Sequence, residues 1–144
     1  MMFSKACEYG IRAIVYIASE TDESRKVGII EVCQHIGAPL HFTAKIMQTF
    51  TRKQIVNSQK GVNGGFYLDS NQRKKSLKEI VEAIDGGKIF TGCGLGLKEC
   101  SEVKPCPIHD QFKEVRNRLN SMMQNTSIQE LADKLKSGQS VLVQ

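Results

Sequence analysis

Tryptophan is absent and aromatic residues make up only 6% of the chain, so a core must be built mainly from aliphatic side chains. No apolar run approaches the roughly twenty residues that cross a bilayer, and no membrane partner is expected. Lys5, Glu8 and Arg12 interrupt the first apolar segment, which argues against a secretory signal. The arrangements that enzymes use are also missing. There is no nucleophile–base pairing, no nucleotide cradle and no pair of acids with a reason to meet, and the three histidines are scattered. The sequence does not read as an enzyme.

What is present is ordinary in bulk and uneven in detail. At 144 residues, 40% hydrophobic and 24% charged, the chain fits one globular domain with room for an appendage. Five cysteines without a secretory signal suggest the reducing cytoplasm, where thiols serve metals or redox chemistry rather than structural disulfides. The net charge of +5 is modest. Its cations gather between His41 and Lys78, where Lys45, Arg52, Lys53, Lys60, Arg73, Lys74, Lys75 and Lys78 face Asp69 as the sole acid. Such a block suits a polyanion surface, with a solvated basic face as the plain alternative.

Residues 4–18 read as an amphipathic helix with Cys7, Ile11, Ile14 and Ala18 on its apolar face, so that Cys7 is a small core residue. A short helix follows with Ile29, Val32, Cys33 and Ile36 inward, broken at Gly37-Ala-Pro39. The next helix, 40–53, has Phe42, Ile46, Met47 and Phe50 as its inward stripe and His41, Lys45, Gln48, Thr49 and Arg52 as its outward one. Two short helices joined by a tight turn, the second polar and basic outside, have the form of a helix-turn-helix. A solvated helical hairpin is the bland alternative. Residues 55–60 and 66–68 can pair as strands around Gly61-Val-Asn-Gly-Gly65, which makes a glycine-rich wing carrying Lys60. The letters Gly61-Val-Asn-Gly64 match a KH-domain loop, but flanking strands are the wrong setting for it. A phosphate loop is excluded because its Gly-Lys-Ser/Thr is missing. The DNA-facing set is then His41, Thr43, Lys45, Gln48, Thr49, Arg52, Lys53, Lys60, Asn63 and Gly64.

Ser76-Leu-Lys-Glu79 is a capping box at a helix start, and Ser127-Ile-Gln-Glu130 is a second one. Between them, Cys93, Cys100, Cys106 and His109 fall within seventeen residues that follow no helix or strand pattern. A loop of this kind can turn its thiolates onto one centre, and soft thiolates completed by an imidazole suit zinc or an iron–sulfur cluster. The open, unequal spacing is unlike the paired cysteines of zinc ribbons and favours a cluster. After the loop, Ile108, Phe112, Val115, Leu119 and Met122 alternate in steps of four and three. That stripe is too narrow for a monomer core and suits a seam with a second copy.

This succession resembles the Rrf-two family of bacterial winged-helix regulators, in its IscR- and NsrR-like iron–sulfur branch. The resemblance rests on the wing 60–68, the capped helix 76–86 and the loop ending Cys106-Pro-Ile-His109. It implies a mainly α fold with a small β-wing: a winged helix-turn-helix (1–87), a cluster loop (88–107), a long C-terminal dimerisation helix (108–125), and a short helix and tail (126–144). It also implies a homodimer on an inverted repeat of double-stranded DNA, regulating transcription under control of a cluster on Cys93, Cys100 and Cys106. His109 is the expected fourth ligand, with Glu8 of the partner subunit as the alternative. A two-iron cluster (2Fe-2S) is favoured and a four-iron cluster (4Fe-4S) is possible. Structural zinc on the same residues, a thiol switch, or a cluster carrier that does not bind DNA are the rival readings.

Overall fold

A computed structural model describes residues 2–22 and 24–144. The first helix, α1 (Lys5–Glu20), starts at Ser4, whose side chain accepts from the Cys7 amide 3.0 Å away. Ala13, Ile14 and Ile17 on α1 are fully buried, and the rest of the protomer is arranged around them. Helix α2 (Ile29–Ile36) ends at Gly37, which takes the left-handed conformation (φ 65°) that the sequence anticipates there. Helix α3 (Leu40–Arg52) follows at once, so α2 and α3 form the helix-turn-helix.

The phase of α3 differs from the expected one. Thr43, Ile46, Met47 and Phe50 face inward, while Phe42 is 41% exposed. Thr43 is 0% exposed and therefore leaves the DNA-facing set. The reason is helical geometry: with Ile46, Met47 and Phe50 all inward, the buried arc is centred near residue 43, and residue 42 is rotated from 43 by about 100°. Phe42 instead meets the edge of Tyr9, with ring centroids 5.7 Å apart.

Phe50 sits where α1, α3 and α5 (Leu77–Asp85) converge. A Cβ on Gly10 would lie 2.9 Å from its ring and 2.5 Å from Ile84. Phe50→Ala should therefore cost about 3–5 kcal/mol in urea unfolding, and a loss below 1 kcal/mol would mean that this contact is not part of the core.

Strands β1 (Asn57–Gln59) and β2 (Gly65–Tyr67) pair antiparallel, Ser58 opposite Phe66. Val27 adds a bridge to Phe66 through two backbone hydrogen bonds of 3.1 and 2.7 Å. The strands are shorter than expected because Ile55 and Val56 turn into the core instead of extending the ladder. Gly64 and Gly65 are demanded by this hairpin. A Cβ at Gly64 would stand 2.1 Å from the Gln59 carbonyl oxygen, and Gly65 has φ 139° against the Val27 backbone.

A short α4 (Ser70–Arg73), capped by Asp69, leads to α5. Both anticipated capping boxes form. They also lie side by side: Leu77 donates to the Thr126 carbonyl and Ile128 to the Lys75 carbonyl, each at 2.9 Å. This pairing brings α8 (Ile128–Lys136) against α1, where Ile128 and Ala132 join the main core. The last helix is therefore part of the main core. A second small core of Cys7, Val81, Phe90 and Met123 joins α1 and α5 to α6 (Lys88–Thr91) and α7 (His109–Gln124).

Candidate DNA-reading surface and cysteine loop

The exposed face of α3 is divided into two stripes. Ala44, Gln48 and Arg52, at successive steps of four, border a groove of about 450 Å³ closed by Ser58 and Phe66 of the wing. Lys45 and Thr49 border a second groove with Ala6, Phe42, Ala83 and Ile84. Lys53 continues that second stripe, and its ammonium donates to the Ala83 carbonyl at 2.8 Å. Lys53 thus ties α3 to the last turn of α5 and is committed within the protomer. Thr49 donates back to the Lys45 carbonyl at 3.3 Å. His41, Lys45, Gln48 and Arg52 are exposed.

At the wing tip Lys60 and Asn63 are exposed, and Gly64 is held by the hairpin geometry described above. Two residues escaped the sequence reading. Ala44 is a small residue in the middle of the groove stripe, and Val62 at the tip is 102% exposed. The place of Val62 at the centre of the glycine-rich tip is the signal that could have found it.

The cysteines divide by environment. Cys7 is fully buried, and burial, reinforced by the Asp85 carboxylate, pushes its thiol up to about 12. Cys33 is also buried. Cys93, Cys100 and Cys106 are half-buried and free. The Cys93 thiol is held below its ordinary value, first by the Leu95 amide, 3.4 Å from Sγ, then by the Leu97 amide, with the Cys106 thiol among further donors. Such donors favour the thiolate, the form that attacks electrophiles and binds metals.

Cys100 Sγ lies 3.4 Å from Nδ1 of His109. His109 is 5% exposed, although it opens α7. Its Nε2 is buried without a hydrogen-bond partner; Glu102 Oε2 stands 3.4 Å away but out of line. Glu102 is held by the ammonium of Lys113, which keeps its carboxyl below the usual range. The loop thus brings Cys100 against His109, while the Cys106 thiol contributes to the lowering at Cys93. Among the described residues, no three donors are close enough to enclose a metal ion. In kind, three accessible thiols and a buried imidazole with an unpartnered nitrogen fit an iron–sulfur or zinc centre. Glu8 lies on α1, 3.4 Å from Lys5, and among the described residues it joins no metal-binding group with the loop.

Beyond the loop, α7 shows two faces. Leu119 and Met123 pack on the second core, and Phe112 covers Gly94. Ile108, Val115 and Met122, spaced seven apart, are 38%, 63% and 50% exposed. Of the five residues in the anticipated stripe these three are open, because the chain itself packs Phe112 and Leu119.

A helix-turn-helix braced by a two-stranded wing and a long C-terminal helix defines the class of winged-helix transcriptional regulators. Residues 3–134 match the Rrf2 family model, described as an iron-dependent transcriptional regulator. The chain belongs to the Rrf2 (Rrf-two) family. It is 29% identical over 133 residues to a putative HTH-type transcriptional regulator of Aquifex aeolicus, covering 91% of each chain. It is 21% identical to the HTH-type transcriptional regulator IscR of Escherichia coli, covering 92% of this chain and 81% of that one. Among solved structures, CymR, the global cysteine regulator of B. subtilis, superposes with a TM-score of 0.74 at 17% identity, covering 91% of this chain and 95% of that one. IscR of T. potens superposes with a TM-score of 0.73 at 12% identity, covering 96% and 90%. Among the described residues, no helix is long and apolar enough to cross a membrane.

Proposed function

We propose that the chain is a cytoplasmic, homodimeric regulator that reads an inverted repeat in double-stranded DNA, its grip governed by an iron–sulfur cluster on Cys93, Cys100, Cys106 and His109. The observation that carries the cluster is His109: an imidazole buried among accessible thiols, one nitrogen on Cys100 and the other without a partner. The nitrogen on Cys100, Nδ1, faces the thiols, so the ring can ligate the same centre as that sulfur. The iron-dependence in the family description supports the same reading. When bound, the cluster supplies a cross-link among these side chains that oxygen, nitric oxide or iron shortage can break. The loop's own residues do the rest. Backbone amides favour ionisation of the Cys93 thiol, and His109 links the loop directly to the first turn of α7.

On the DNA side, Gln48 and Arg52 address base edges from the groove beside the wing, while His41, Lys45 and Lys60 address phosphates. Thr49 and Asn63 border these contacts. Gln48→Ala should relax preference at one base pair by about 1–3 kcal/mol, whereas Lys60→Ala should weaken all sequences alike and flatten the salt dependence. Competition gel shifts on a set of single-base operator variants separate the two; uniform loss for Gln48→Ala would remove it from the readout.

The deciding experiment is anaerobic purification with iron and sulfide analysis, an absorbance spectrum, and gel shifts before and after cluster removal. Brown protein whose operator affinity changes on removal supports the proposal. A colourless protein holding zinc supports the zinc rival, and a Cys93–Cys106 disulfide on non-reducing peptide mapping supports the thiol switch.

A further inference from the structure

We propose that Arg116 is a positioning residue that clamps the Cys93 limb of the loop onto α7 and so transmits the state of that limb to the helix. This rests on the reading of the loop as a ligand-bearing element. One guanidinium nitrogen of Arg116 donates to the carbonyls of Thr91, at 3.2 Å, and Gly92, at 3.0 Å. These are the two residues immediately before Cys93. The residue immediately after it, Gly94, lies under the ring of Phe112, so close that a Cβ there would stand 2.8 Å from two ring carbons. Phe112 and Arg116 are one helical turn apart on the same face of α7. Cys93 is therefore gripped on both flanks by one helix, and its own Sγ accepts from the Leu95 amide within the held segment.

The other limb of the loop is attached differently. Cys100 reaches α7 through the His109 ring, and Cys106 through the His109 amide, which donates to its carbonyl at 3.0 Å. Among the described residues, Arg116 hydrogen-bonds only to the Thr91 and Gly92 carbonyls, and its Nε is buried without a partner. Among the described residues no acid pairs with it: Glu114 pairs with Arg118, and Glu102 with Lys113 and His109. The guanidinium is thus free of other duties, and Val115 beside it belongs to the exposed face. A movement of the Cys93 limb reaches α7 at the level of the open stripe.

Amide hydrogen exchange on the reduced, metal-free full chain tests the clamp without reference to any cluster. Arg116→Met should accelerate exchange in 92–96 by about tenfold, as expected from losing two hydrogen bonds to a charged group. The amides of 100–106 should be unchanged, and the melting temperature should stay close to that of the parent. Arg116→Lys should restore part of the protection, because an ammonium still offers several donors. Gly94→Ala should accelerate the same segment from the loop side, and adding Phe112→Leu should reverse it. If Arg116→Met fails to fold, this second pair gives the same decision. Unchanged exchange in 92–96, or equal acceleration in both limbs, overturns the clamp. In a wild-type chain that holds iron, Arg116→Met should also speed loss of iron to a chelator by a similar factor. A wild-type chain that holds none overturns the cluster reading and leaves the exchange result standing.

Discussion

Val115→Glu is expected to turn a dimer into a monomer and to weaken operator binding by about 10²–10⁴-fold, the avidity lost when two half-sites can no longer be engaged together. Val115 is 63% exposed in the protomer and stands midway between Ile108 and Met122 on one stripe of α7. Against a second copy, a carboxylate there would be buried without a partner and would face its own image, which a small apolar seam cannot offset. Light scattering on the eluted protein and a gel shift on the same sample check both parts. Leu119→Glu provides the contrast. Leu119 packs on Val81, Phe90 and Met123 within the protomer, so its replacement should lower the melting temperature before it changes the oligomeric state. A Val115→Glu chain that remains dimeric would place the interface elsewhere.

Cys106→Ser, and equally Cys93→Ser or Cys100→Ser, is expected to abolish iron and visible absorbance in anaerobic preparations while leaving the fold intact. These thiols lie in a loop and contribute nothing to either core. The variants should bind the operator as the cluster-free parent does, whatever the sense of regulation. Cys7→Ser should behave in the opposite way. Its thiol is fully buried and pushed up to about 12, so iron should be retained, and the change should cost about 1–3 kcal/mol by burying a hydroxyl. Loss of iron on His109→Ala with retention on Glu8→Ala would make His109 the fourth ligand; the reverse pattern would assign it to the partner's Glu8. Iron content unaffected by any of the three serine variants would end the cluster reading.

How far the chain could be read in advance depended on whether a feature was local. Gly37 as a left-handed cap, the Ser76 and Ser127 capping boxes and the tip of the wing are written in contiguous residues, because each rests on hydrogen bonds or dihedral angles spanning only a few positions. Helix phase was less legible. Phe42 and Thr43 are adjacent and both plausible inward residues, and hydrophobicity alone favoured the wrong one. The site behaved in the same way: the donors were visible as residue types, while the meeting of Cys100 with His109 was not.

The main helices, the presence of a wing, the cluster of thiols in one loop and the apolar steps along α7 follow from the string of residues, since they depend on composition and short-range periodicity. Contacts between residues distant along the chain do not. Lys53 on the Ala83 carbonyl, α8 completing the core of α1, and Arg116 reaching back to Thr91 and Gly92 arise only when helices far apart in sequence are packed together. The partners of a long cationic side chain are set by whichever carbonyls the packing leaves unpaired within its reach, and no local pattern encodes that.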